Sequence, residues 1–194
     1  MEIAFALALG YLLGSIPFGL ILTRLAGGGD IRAIGSGSTG ATNVLRSGRK
    51  GLAAATVLLD AAKGAVAVLI AARWLPGTEG LASIGAIVGH CFPVWIGFRG
   101  GKGVATAAGA AVALAWQVAA VCALVWAATL AVSRISSLAS LAAIIAAPVV
   151  AWLFGFAEIV PYLTGVAAIV LVQHRGNIAR LRAGTEPRVG QKPA

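Results

Sequence analysis

The sequence predicts an all-α, polytopic integral membrane protein, and three observations carry that prediction. Of 194 residues, 59% are hydrophobic and 11% charged; the mean hydropathy is +0.94; and the few charges fall mostly between long apolar segments. Soluble domains are about 45–50% apolar and about 25% charged, so lipid is the solvent this composition suits. A transmembrane helix needs about 20 apolar residues, which leaves room for six or seven spans, short loops and no sizeable soluble domain. The chain is read as a single membrane-embedded domain over residues 1–194.

Seven charge-poor segments define the predicted spans: 3–23, 51–72, 81–98, 104–116, 118–133, 136–156 and 159–173. The first exceeds the apolar core of a signal peptide and has Glu2 where a positive n-region would stand, so it is expected to remain as a helix. Residues 104–133 run without a charge and would form one helix of about 45 Å, too long for one span and short for two. Charge decides the count. With seven spans, one face receives Arg24, Arg32, Arg46, Arg49 and Lys50 after the first span, then Arg99 and Lys102, then Arg134, then Arg175, Arg180, Arg182, Arg188 and Lys192. The opposite face receives Arg73, and Lys63 lies inside the second span. The positive-inside rule then places the amino terminus outside and the carboxyl terminus in the cytoplasm. Six spans would set Arg99 and Lys102 on the face opposite the basic tail.

The formal net charge of +9 would suggest nucleic-acid binding in a soluble chain. Here topology accounts for it, and no nucleic-acid partner is expected. Cys91 and Cys122 lie in apolar segments without metal or CxxC spacing and read as packed thiols. The GxxxG spacings Gly10/Gly14 and Gly85/Gly89 read as close helix packing, and Pro17, Pro148 and Pro161 as kinks. Asp60 and Lys63, at i,i+3 in the second span, are each costly in hydrocarbon and are expected to pair, either as a structural ion pair or as a functional site.

Three stretches concentrate polar residues. The first is 35–46, GSGSTGATNVLR, in the longest cytoplasmic loop. Its glycines permit backbone N–H groups to converge as an anion nest. Ser36, Ser38, Thr39, Thr42 and Asn43 add side-chain donors, Gly37 and Gly40 keep the backbone accessible, and Arg46 suits bidentate phosphate binding. A flexible polar linker is the alternative. The second is 89–106, GHCFPVWIGFRGGKGVAT, in which the loop 97–103 presents Arg99 and Lys102 before the next helix. The GxxxxGK[ST] pattern fails, because Ile96 and Gly103 stand where glycine and a hydroxyl are required. Phosphate binding at a helix amino terminus remains natural there, beside the alternative of a tight turn with topological anchors. The third is 174–186, HRGNIARLRAGTE, where His174, Asn177 and Arg180 or Arg182 recur at near-helical spacing; a basic tail attracted to anionic lipid is its alternative.

Absences narrow the chemistry. Trp95 and Ala179 stand five residues after His90 and His174, so there is no HxxxxD arrangement, and neither a Ser-His-Asp set nor clustered metal ligands is evident. A transfer reaction would need an already activated donor, with electrostatic stabilisation from donors and cations; an acyl phosphate or a similar anhydride fits. A transporter for phosphorylated metabolites would also carry cationic loops, but it calls for midplane charge and an internal repeat. Asp60 and Lys63 alone answer that description. A structural scaffold gives no reason for three glycine-and-hydroxyl loops on one face.

Taken together in order, the three stretches resemble the motifs of the bacterial acyl-phosphate:glycerol-3-phosphate acyltransferase (PlsY) family, and the resemblance covers the whole chain. It implies a seven-helix fold in the bacterial cytoplasmic membrane with all three motifs facing the cytoplasm. The implied reaction transfers a fatty acyl group from acyl phosphate to the 1-hydroxyl of glycerol-3-phosphate, giving lysophosphatidic acid and phosphate at an early step of phospholipid synthesis. No cofactor or metal is implied. The partners are the two substrates, membrane lipids and, functionally, the enzyme that makes acyl phosphate and the next acyltransferase. By matching motifs, Ser36 and Arg46 belong to a first catalytic loop, Gly100, Gly101, Lys102 and Gly103 to a glycerol-3-phosphate loop, and His174 and Asn177 to the third motif. Glu186 matches an acidic position with a structural role, and Ser137 a serine that helps hold phosphate. Ser38 departs from the pattern, standing where the family more usually has asparagine.

Overall fold

The computed structural model describes residues 1–190 and is helical, with no strand among them. Lys192, counted above among the basic residues, lies outside the described residues. Ten α-helices follow in order: α1 (Glu2–Gly14), α2 (Phe18–Leu25), α3 (Ala41–Arg46), α4 (Lys50–Trp74), α5 (Glu79–Cys91), α6 (Val104–Leu114), α7 (Trp116–Ser133), α8 (Ser136–Leu153), α9 (Val160–Gln173) and α10 (Arg175–Arg182). They form two compact units, residues 1–114 and residues 115–194.

All seven apolar segments are helical, but not all reach spanning length. Five stretches do so: Glu2–Leu25, Lys50–Trp74, Glu79–Ile96, Trp116–Ser133 and Ser136–Leu153. A sixth forms if Ala157–Gln173 and Arg175–Arg182, bent by 63° at His174, count as one, whereas Val104–Leu114 is a shorter apolar helix. The charge-free run 104–133 breaks at Ala115, whose extended backbone (φ −159°, ψ 95°) separates α6 from α7. Neither proline nor glycine marks that place, so the break was legible only as excess length.

Of the three prolines, Pro17 interrupts a span. It has no N–H to continue the α1 ladder, so α1 ends at Gly14 and the chain restarts as α2 with Leu20 and Ile21 donating to Pro17 O. Pro148 lies inside the unbroken α8, and Pro161 in the first turn of α9, where a missing N–H costs little.

In the first unit, the two GxxxG pairs mesh α1 with α5 backbone to backbone. A Cβ on Gly10 or Gly14 would strike Ala82 or Ala86, and one on Gly85 or Gly89 would strike Leu7 or Tyr11. Such close approach supplies dispersion contacts that lipid cannot replace. Leu58 and Leu69 in the first unit and Leu124 and Val132 in the second are exposed, as a lipid-facing surface requires. Cys91 is buried and Cys122 half-buried, and neither forms a disulfide among the described residues.

Candidate active site

Two loops meet in the first unit, and each is shaped by a polar side chain the fold uses for itself. Asn43 of α3, 1% exposed, organises the first loop. Its Oδ1 accepts from Ser36 N at 3.0 Å, and its Nδ2 donates to the carbonyls of Ile31 (2.8 Å), Ile34 (3.1 Å) and Ser38 (2.9 Å). Gly35, at φ +58°, has no Cβ to collide with Asn43 Oδ1. By residue type Asn43 offered donors to a ligand; in the fold those N–H groups hold the loop that displays Ser36 and Arg46. Ser36 is exposed. Arg46, at the carboxyl end of α3, is also exposed and has no hydrogen-bond or ion-pair partner among the described residues. Ser38 Oγ accepts from Gly40 N at 3.2 Å, which asparagine at that position could also do.

The second loop folds back over the end of α5. Gly100 N donates to Cys91 O (3.1 Å) and Gly101 N to His90 O (3.0 Å), capping carbonyls that a helix terminus leaves without intrahelical donors. A Cβ on Gly100 would strike His90 O and Pro93, and one on Gly101 the His90 imidazole. These glycines are therefore required by packing, and their N–H groups serve the loop. Half-buried Lys102 follows, then Gly103 at φ +85°, whose carbonyl accepts from Ala107 N at 2.8 Å as α6 begins. Lys102 thus stands just before a helix amino terminus, where backbone N–H groups favour an anion.

Hydrogen bonds join the loops. Thr39 N approaches Gly100 O at 3.5 Å, a long bond. Arg32 Nη1 donates to Ile96 O at 3.1 Å while its Nη2 and Nε grip Asp30 (2.7 and 3.0 Å). Hydrogen bonds from the Arg32 side chain and backbone hold the Asp30 carboxyl far below the usual carboxylate range. Residue types gave no role to Asp30 or Arg32; the available signal was an Asp two residues before an Arg in a glycine-rich turn, the pattern of an Asx turn. His90 was also missed as a site residue, although an ionisable side chain at the end of an apolar span is itself a signal.

In the second unit, Glu186 gathers the third stretch. The chain turns at Gly184 (φ +70°) and brings the carboxylate, 8% exposed, back to three donors. Oε1 accepts from Ser137 Oγ (2.6 Å) and Asn177 Nδ2 (2.5 Å), and Oε2 from Arg180 Nε (2.6 Å). Burial works to raise the Glu186 carboxyl, but these three hydrogen bonds outweigh it and hold the pKa below the ordinary value. Ser137, expected beside phosphate, here ties α8 to Glu186. His174 sits at the bend between α9 and α10, 3% exposed. Its Nδ1 lies 2.8 Å from Val170 O. A carbonyl only accepts, so Nδ1 carries the proton, and in the neutral ring Nε2 is the acceptor.

Residues 4–184 match the family model for glycerol-3-phosphate acyltransferase. The chain belongs to the glycerol-3-phosphate acyltransferase family. Among relatives, it is 54% identical over its whole length to a glycerol-3-phosphate acyltransferase of Erythrobacter litoralis, covering 98% of that protein. It is 56% identical over 96% of its length to one of Mesorhizobium japonicum, covering 96% of that protein. Among solved structures, it superposes on PlsY (YgiH), an integral membrane glycerol 3-phosphate acyltransferase, in its glycerol 3-phosphate form. The TM-score is 0.92 at 36% identity, over 98% of this chain and 96% of that one. The lysophosphatidic acid form of PlsY aligns with a TM-score of 0.90.

Proposed function

We propose that this member of the family transfers a fatty acyl group from acyl phosphate to the 1-hydroxyl of sn-glycerol-3-phosphate, releasing lysophosphatidic acid and phosphate. The observation that carries the reading is the meeting of two loops in residues 1–114, one displaying exposed Arg46 beside Ser36, the other placing Lys102 at the start of α6. Such donors and cations suit substrates that both bear phosphate. In the reaction, O1 of glycerol-3-phosphate bonds to the acyl carbon. The bond between that carbon and the bridging phosphate oxygen breaks, and phosphate leaves with the bonding pair and the hydroxyl proton.

Arg46 and Lys102 neutralise phosphate charge, and Ser36, Thr39 and Thr42 supply hydroxyl donors. Neither of the first two motifs contains a carboxylate, so a donor phosphate oxygen accepts the proton. By the resemblance, His174 and Asn177 of the third motif belong to the catalytic set. The family match over residues 4–184 supports treating both compact units as one acyltransferase domain. The one-sided distribution of basic residues supports seven spans, an external amino terminus and a site facing the cytoplasm, and the family resemblance supports the bacterial inner membrane as its location. Functional coupling to the enzyme that makes acyl phosphate and to the next acyltransferase follows from the same reading.

The test is to incubate purified protein in detergent with acyl phosphate and labelled glycerol-3-phosphate, with acyl-CoA as the alternative donor. Labelled lysophosphatidic acid from acyl phosphate is expected. Product from acyl-CoA alone would refute the donor, and product from neither would refute the reaction.

A further inference from the structure

A buried polar column lies in residues 1–114, and the proposed chemistry does not use it. Lys63 Nζ is 2.8 Å from Asp60 Oδ1 on α4. His90 Nδ1, in the last turn of α5, is 3.7 Å from the same oxygen and 3.1 Å from Thr106 Oγ1 of α6. Exposures are 2% for Asp60, 5% for Lys63, 6% for His90 and 0% for Thr106. A solitary ion pair would be enough to neutralise two charges. Here each end of the column instead reaches a segment beneath one of the two loops.

At one end, Lys63 Nζ donates to Ile16 O at 2.8 Å and lies 5.7 Å from the Phe18 ring centroid. Ile16 and Phe18 flank Pro17, so the ammonium occupies the break at which α1 gives way to α2. One residue on, Gly19 packs beneath the first loop, where a Cβ would strike Thr39 O. At the other end, the His90 ring is the floor of the second loop: Gly101 rests on it, and Gly101 N bonds His90 O. Lys102 is the next residue.

We infer that Asp60, Lys63 and His90 are positioning residues that set the spacing of the two loops, and through it the capture of glycerol-3-phosphate. The inference rests on the acyltransferase reading above. Lys63 fixes the origin of α2 beneath the first loop, His90 fixes the floor of the second, and Asp60 lies between the Lys63 ammonium and the His90 ring. Thr106 holds the imidazole in one rotation, so the floor is rigid. None of the three touches substrate in this account.

A purely structural ion pair and a positioning column predict different kinetics. Asp60→Asn alone would strand the Lys63 charge in a dry interior and would be severely destabilising. The informative variants are therefore the double variant Asp60→Asn with Lys63→Met, which removes both charges, and His90→Phe, which keeps a ring under Gly101 but loses its polar partners. His90→Gln serves as a milder third. Each is purified, checked for monodispersity and melting temperature, and assayed with acyl phosphate and glycerol-3-phosphate varied in turn. Positioning predicts that folded variants raise KM for glycerol-3-phosphate about tenfold or more, because small displacements of binding groups carry large penalties. The KM for acyl phosphate should stay within about twofold of wild type, and His90→Gln should fall between wild type and His90→Phe. Folded variants with wild-type KM for glycerol-3-phosphate, or with only a lower melting temperature, would overturn the inference and leave the acyltransferase reading intact. An inactive wild-type protein would overturn both.

Discussion

Replacing Gly101 by alanine adds one methyl group where the structure has no room for it. The new Cβ would fall on the His90 imidazole, against Nε2, Cε1 and Cδ2. The ring cannot retreat easily, since Nδ1 lies 3.1 Å from Thr106 Oγ1 and the residue is 6% exposed. Nor can the loop rise without stretching the 3.0 Å bond from Gly101 N to His90 O. Overpacking a well-filled interior costs about 1–3 kcal/mol. If the loop absorbs the strain by shifting Lys102, the cost appears in catalysis, and at about 1.4 kcal/mol per factor of ten kcat/KM for glycerol-3-phosphate should fall roughly 5- to 150-fold. If the loop holds, the cost appears as a lower melting temperature. Both are read on detergent-purified protein beside Gly51→Ala, an exposed position in the first turn of α4 where a Cβ meets nothing within 4 Å. That control should be neutral or slightly stabilising. A Gly101→Ala protein with wild-type kcat/KM and melting temperature would refute the packing argument.

Three further outcomes follow from the geometry. Arg46→Ala should reduce activity by about tenfold or more while leaving the melting temperature unchanged, because the exposed guanidinium has no partner among the described residues; a loss of stability would show that its role is structural. Asn43→Ala should strip the first loop of four hydrogen bonds and cost about 2–4 kcal/mol at roughly 1 kcal/mol each, visible as faster proteolysis within residues 30–46. Glu186→Gln should lower stability by about 1–3 kcal/mol through weakened charge-assisted bonds. Because the folded carboxyl titrates below the ordinary 4.5, its contribution is complete above that value and lost as pH falls through the lower, folded one. The wild-type and Glu186→Gln melting temperatures should therefore converge on acidification, and a gap that widened instead would reverse the assigned sign.

Much of this architecture was legible because the bilayer imposes it. Apolar run length located the helices of the seven apolar segments, though not α3, which lies inside the polar stretch 35–46; the glycine pairs pointed to close helix packing, since few residue types permit backbones to meet in lipid, but not to which helices meet. The ion pair Asp60–Lys63 was legible from i,i+3 spacing alone. The break at Ala115 was legible only through the excess length of the run, which set a boundary at residue 117, because nothing in its side chain disfavours a helix. Within the site, residue type and residue use diverge. Asn43, Gly100 and Gly101 have donors suited to phosphate, and the fold engages those donors internally. Spacing could not foretell this, because their partners on Ile31, Ile34, Cys91 and His90 are fixed by turns rather than by periodicity. Ser137 meets Glu186 across 49 positions, a distance no local pattern reports. Arg46 lies in the last turn of α3 and Lys102 just before α6, at the edges of their loops, and their part in phosphate binding remains the proposal made above.

The central claim is that an acyl phosphate is consumed as an acyl donor. Orthophosphate and lysophosphatidic acid should therefore be quantified in the same reaction, with purified protein, acyl phosphate and glycerol-3-phosphate. The account predicts that the two products rise together in a one-to-one ratio and that both vanish when glycerol-3-phosphate is omitted. Phosphate released without lysophosphatidic acid, or lysophosphatidic acid formed without phosphate, would contradict it.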